Sequence, residues 1–110
     1  MAYDEDLAQR IREVLGDEPG VVEKQMFGGL AFLIGGHMSV AASGQGGLLV
    51  RCDPLQTDAL LDQPGAAPFV MRDRAMDGWL RVEDEGLSSN RDLEQWVARG
   101  VAYARSLPPK

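Results

Sequence analysis

The sequence predicts a two-layer α+β fold in which helices cover one face of an antiparallel sheet. Apolar residues recur at helical spacing near both ends of the chain, and a third, shorter helical signal lies near its middle. Strand-forming residues fill the two stretches between, and glycine pairs punctuate the first of them. The resulting order is α-β-β-β-α-β-β-α. A chain of 110 residues suits one domain, 1–110, that buries somewhat more than about 60% of its unfolded surface.

In the first element, Leu7, Ala8, Ile11, Val14 and Leu15 form one apolar stripe and leave Gln9, Arg10, Arg12 and Glu13 for solvent. Asp4, Glu5 and Asp6 put negative charge at the positive end of the helix dipole. Gly16 and the turn Asp17-Glu18-Pro19-Gly20 end it. Residues 22–52 are strand-like, and Gly35-Gly36 with Gly44-Gln45-Gly46-Gly47 are the expected hairpin connections, which gives three consecutive antiparallel strands. Asp53-Pro54-Leu55-Gln56 joins a capping residue, a proline at the first helical position and a glutamine able to reach back to the cap. A short helix over 54–62 is expected, with Leu55, Ala59 and Leu60 on its buried side. After the break Pro64-Gly65-Ala66-Ala67-Pro68, two further strands are expected at Phe69–Arg72 and Gly78–Val82, joined through the polar stretch 73–77. Ser89 with Asp92 three positions on resembles a capping box, and Leu93, Trp96, Val97, Val101, Ala104 and Leu107 form the stripe of a last helix that Pro108-Pro109 stops. Gly100 lies inside this helix, where it costs about 1 kcal/mol relative to alanine. That cost predicts close packing against a strand or another helix.

The composition narrows the function classes. Hydrophobic residues make up 45% of the chain and charged residues 25%, as in a globular protein. No apolar run approaches a membrane span, and the acidic start Met1-Ala2-Tyr3-Asp4-Glu5-Asp6 is unlike a secretory signal, so a cytoplasmic location and no membrane partner are expected. A net charge of −6 opposes a sequence-independent grip on nucleic acid. Arg72, Arg74 and Arg81 cluster in sequence, but Asp73, Asp77, Glu83, Asp84 and Glu85 are interspersed with them. Cys52 is the only cysteine and His37 the only histidine, too few for a zinc site, and no metal or cofactor is expected. Cys52 stands at a strand end before the Asp53-capped helix, where a thiolate would feel the helix N-terminus; a buried structural thiol is the plainer reading. No Gly-x-Ser-x-Gly elbow surrounds any serine. Gly28-Gly29 and the 44–47 cluster lack the Lys-Ser or Lys-Thr pair of a phosphate-binding loop and are read as turns and bulges. Met26, Met38, Met71 and Met76 are read as gap-filling core, and Trp79 and Trp96 as core that can edge an interface.

Lys24-Gln25-Met26-Phe27-Gly28-Gly29-Leu30-Ala31-Phe32, Leu48-Leu49-Val50-Arg51, Pro64-Gly65-Ala66, Pro68-Phe69, Met76-Asp77-Gly78-Trp79, Trp96-Val97 and Leu107-Pro108-Pro109-Lys110 occur in an order that resembles the N-terminal domain of the TfoX/Sxy family. The resemblance implies a bacterial α+β domain with a secretion-chaperone-like layout. It also implies kinship with two-domain regulators of natural competence, which promote transcription together with a cyclic-AMP receptor protein. The sequence ends at Lys110 without their C-terminal helical domain, so a stand-alone copy is expected, and the family supplies no catalytic residues to carry over. The expected function is a non-enzymatic protein-binding module with a protein partner or a second copy of itself, acting in transcription or competence. The alternative is a small-ligand or enzymatic domain with a pocket between sheet and helices. The candidate interaction or pocket residues are Phe27, His37, Arg51, Cys52 and Trp79.

Overall fold

The computed structural model describes residues 3–16, 18–26, 28–44, 46–71 and 73–108. Asp17, Phe27, Gln45, Arg72 and Pro109, and the side chains of Met71, Met76 and Asp77, lie outside the described set. Helix α1 spans Glu5–Leu15; the Asp4 carboxylate accepts the backbone N–H groups of Asp6 and Leu7, and Leu7, Ala8, Ile11 and Leu15 are buried. Helix α3 spans Asn90–Ser106 and starts on Ser89, whose hydroxyl accepts the Asp92 N–H at 3.1 Å. Both helices start where the capping residues place them.

Between them run β1 (Val21–Met26), β2 (Gly29–Ile34), β3 (His37–Ala42) and β4 (Leu48–Arg51). After a 3-10 turn over Pro54–Gln56 and the short helix α2 (Thr57–Leu60) come β5 (Ala66–Met71) and β6 (Arg74–Val82). The six strands form one sheet in the order β1-β2-β3-β4-β6-β5, and every neighbouring pair is antiparallel. The blocks of helix and strand follow the predicted order. The first block holds four strands where the sequence reading gives three, because the chain reverses tightly before Gly29, with Gly28 at φ 75° and Met26 paired to Gly29.

Leu30, Phe32, Val40, Ala42, Leu48, Val50, Leu80 and Val82 face α1 and α3 and pack with Ile11, Leu93, Trp96 and Val97 in the main core. Strands β2 and β3 carry apolar residues on both faces, which hides the period-2 signal in sequence. Their pairing skips Ser39, since Phe32 pairs with Val40 and Leu33 with Met38; the Ser39 hydroxyl donates to the Phe32 carbonyl at 2.9 Å. The Ser39 carbonyl then lies where a side chain at Gly100 would stand, so α3 crosses the sheet at that glycine. Close packing thus accounts for Gly100, as the sequence suggests.

The short middle helix corrects one expectation. It ends at Leu60, Leu55 is 93% exposed and Ala59 is exposed, while Thr57 supplies the buried contact. Asp53 caps the preceding turn by accepting the Leu55 N–H, a geometry that throws the Leu55 side chain outward. Among the described residues, no helix is long and apolar enough to cross a membrane.

Candidate functional site

The face of the sheet opposite the helices holds a second apolar cluster. Ala31, Met38, Ala41 and Leu49 are buried there under half-buried Met26, Leu33, Phe69 and Trp79. Cross-strand partners share a face, so the pairings Val22 with Leu33, Lys24 with Ala31, and Arg51 with Trp79 place Val22, Lys24 and Arg51 around this cluster. Arg81, opposite Leu49, is tied down by the Glu83 carboxylate at 2.8 Å and the Gly46 carbonyl at 2.7 Å. The described side chains on the strands of this face therefore include cations and no carboxylates, in a chain whose net charge is −6.

At one end of the sheet, side chains from four elements stack in a row. The Phe69 and Trp79 rings are 6.2 Å apart between centroids, and the Arg51 guanidinium lies 5.3 Å from the Trp79 centroid and 5.5 Å from that of Tyr103. Cation–π attraction fixes the guanidinium between strand and helix. Arg99, one turn before Tyr103 on α3, stacks over Trp96 at 4.6 Å. The half-buried arginines divide into two kinds. Arg10 donates to the Leu87 carbonyl and Arg81 is paired as above, whereas Arg51 and Arg99 contact aromatic faces and have no acceptor for their N–H groups among the described residues. Beside Tyr103 and Arg99, between α2 and α3, an open hollow of about 300 Å³ is walled also by Gln56, Leu60 and Ser106.

The other expected site residues are dispersed. Cys52 is 2% exposed, and its sulfur lies 3.8 Å from the Thr57 hydroxyl oxygen. Burial pushes its thiol pKa up, against the smaller lowering effect of the Thr57 contact. Burial outweighs any helix-terminus effect, in line with the plainer structural reading of Cys52. Thr57 also accepts the buried Gly78 N–H at 2.9 Å, which joins the strand end to the turn. His37 is half-buried with Nε2 2.7 Å from the Pro108 carbonyl, so Nε2 carries the proton, while Nδ1 is without a partner among the described residues. His37 and Cys52 thus serve separate contacts. Phe27 lies outside the described residues. The structure brings Arg51 and Trp79 together and adds Phe69, Arg99 and Tyr103, which the sequence reading did not single out. The spacing of Trp96, Arg99 and Tyr103, on one flank of the α3 stripe, was the available signal.

An open-faced antiparallel sheet backed by helices, with an aromatic–arginine row at one end, defines a two-layer α+β class and not a particular chemistry. The model of the TfoX N-terminal domain family matches residues 13–104, and the chain belongs to that family. Comparison with curated proteins and with solved structures returns no match. Among the described residues no group of three or more His, Cys, Asp or Glu side chains is arranged to hold a metal ion.

Proposed function

We propose that this TfoX N-terminal domain is a non-catalytic protein-binding module of the cytoplasm that seats an acidic, partly apolar segment of another protein on the helix-free face of its sheet, in a transcription-regulating role. One observation carries the reading: an apolar patch containing Trp79, Leu33 and Val22, bordered by Lys24 and Arg51 and without a described strand carboxylate, on a chain that is otherwise acidic. Tryptophan and arginine are the residue types that dominate binding energy at such patches, and the cationic border selects an acidic partner. A single cysteine, Cys52, with no partner for an internal disulfide fits a reducing compartment. Kinship with competence regulators supports a setting in transcription, and the net charge favours a protein partner over DNA.

The test is capture from the native host with wild type, Trp79→Ala and Lys24→Glu, followed by calorimetry with the purified partner. The expected result is one partner, bound at least roughly tenfold more weakly by each variant. Lys24 is exposed, so its variant remains informative if Trp79→Ala is unstable. Capture indifferent to both substitutions contradicts the proposal. A dimer of this chain in light scattering that Lys24→Glu alters would assign the face to a second copy instead.

A further inference from the structure

We infer that the outer edge of β1 is a docking site for an extended segment of another protein, which joins the six-stranded sheet antiparallel to β1. The segment sets an acidic side chain opposite Lys24, between apolar side chains opposite Val22 and Met26. Backbone pairing defines the site. Ile34 pairs with His37 across the two-residue turn Gly35-Gly36, so the Ile34 backbone bonds to β3. Hydrogen bonds along β2 alternate between its two neighbours, so Leu33 and Ala31 bond to Val22 and Lys24. Val21, Glu23 and Gln25 are left with N–H and C=O groups that point away from the sheet. The register of β1 on β2 runs unbroken over Val21–Met26, without proline, glycine or bulge, and no strand lies beyond it. The opposite edge, β5, carries Pro68 and a register shift before Val70. Of the two edges, β1 therefore offers the continuous row of donors and acceptors.

Charge selects the occupant. Glu23 is on the helix side, opposite Phe32, where its carboxylate accepts the Arg12 Nε–H at 2.9 Å and an Nη2–H at 2.8 Å. Lys24 is on the helix-free side, exposed, and forms no ion pair among the described residues. The free charge of this strand is thus one cation, next to Val22, which is 59% exposed. Residues opposite Val22 and Lys24 fall at non-hydrogen-bonded pairs, where side chains approach most closely, so a carboxylate there meets the ammonium directly. A second copy centred on Lys24 brings another ammonium instead and is disfavoured. Main-chain bonds supply affinity in such a strand addition, and the alternate side chains supply specificity. The inference goes beyond the sheet-face reading: the two share Lys24, but the edge needs nothing from Trp79, which lies on β6, four strands away.

The probe is the acetylated and amidated peptide Thr-Val-Thr-Asp-Thr-Val-Thr, titrated into the whole chain and followed by proton–nitrogen NMR. Two N-methylated isomers separate backbone pairing from side-chain contact. Methyl groups on the threonines flanking the aspartate block amides that face β1, whereas methyl groups on the two valines sit on amides that face away. The parent and the valine-methylated peptide are expected to give saturable shifts over residues 21–25 in the millimolar range. The threonine-methylated peptide should bind at least roughly tenfold more weakly. Replacing the aspartate by lysine should weaken binding roughly fivefold, Lys24→Glu should invert that preference, and Trp79→Ala should leave it intact. Circular dichroism of each variant confirms folding. Absence of saturable binding, equal loss from both methylated peptides, or a preference for aspartate that survives Lys24→Glu overturns the inference. Binding lost in Trp79→Ala places the peptide on the sheet face, which overturns the edge site and leaves the sheet-face reading standing. Peptide results as expected, with partner capture indifferent to Trp79→Ala, remove the sheet-face reading and leave the edge site.

Discussion

Cys52 shows how burial decides what a residue can do. A thiol whose folded pKa lies above its ordinary value of 9.0 binds its proton more tightly in the native than in the unfolded chain. The stability this contributes is complete below 9.0 and is lost as pH rises towards the folded value. Denaturant midpoints measured from neutral to alkaline pH should therefore fall more steeply for wild type than for Cys52→Ala; parallel profiles would refute the assignment. Gly100 is decided by a contact in the same way. Alanine in an exposed helix gains about 1 kcal/mol over glycine. A Cβ at Gly100, however, would overlap the Ser39 carbonyl and stand 2.9 Å from Val40 Cγ1. Overpacking against backbone costs typically 1–3 kcal/mol and more where nothing yields. Gly100→Ala should lose about 1–2 kcal/mol net in urea unfolding, and a gain in stability would show that α3 does not cross the sheet here.

At the scale of elements, the junction from β4 through the turn to α2 rests on Thr57 rather than on an apolar helix face. Its hydroxyl oxygen accepts the buried Gly78 N–H, so Thr57→Val keeps the shape and orphans a donor. The expected cost is about 1–3 kcal/mol. Leu55→Ser, at a side chain 93% exposed, should change stability by less than about 0.5 kcal/mol. The sequence reading would order these two costs the other way, so chemical denaturation of the pair tests the correction directly. What was legible was local: the acidic helix start at Asp4–Asp6, the caps at Asp53 and Ser89, the two long apolar stripes, the glycine turn at 35–36 and the close-packed position of Gly100. What was not legible depends on register. Residues 22–34 read as one strand because both faces of β2 are apolar, leaving no alternation to expose the reversal before Gly29. Arg51 and Trp79 were each visible, but only the pairing of β4 with β6 sets them opposite one another, and only the reach of α3 brings Tyr103 to them.

Across the whole molecule, strand order sets where the fold should open first. Strands β3 and β4 lie inside the sheet, contact α3, and carry the fully buried Val40, Leu48 and Val50. Strand β1 is an edge: it pairs with β2 alone and its middle residues Val22, Glu23, Lys24 and Gln25 are exposed. Its outer edge could template pairing with another chain, but a second copy aligned antiparallel with its helix face on the same side sets residues of equal parity opposite one another. The registers centred on Glu23 or Lys24 then place like charges face to face, which disfavours self-pairing. The opposite edge, β5, is blunted by Pro68 and a register shift before Val70. Local opening costs least where buried contacts are fewest. Amides of β1 bonded to β2 should therefore exchange with solvent deuterium at least roughly a hundredfold faster than those joining β3 to β4. Lys24→Glu should leave that gradient unchanged, because the exposed Lys24 side chain adds little to the packing of β1 on β2. Protection of β1 equal to that of the central strands, and rising with protein concentration, would mean that this edge is covered by another copy and that the charge argument against self-pairing fails.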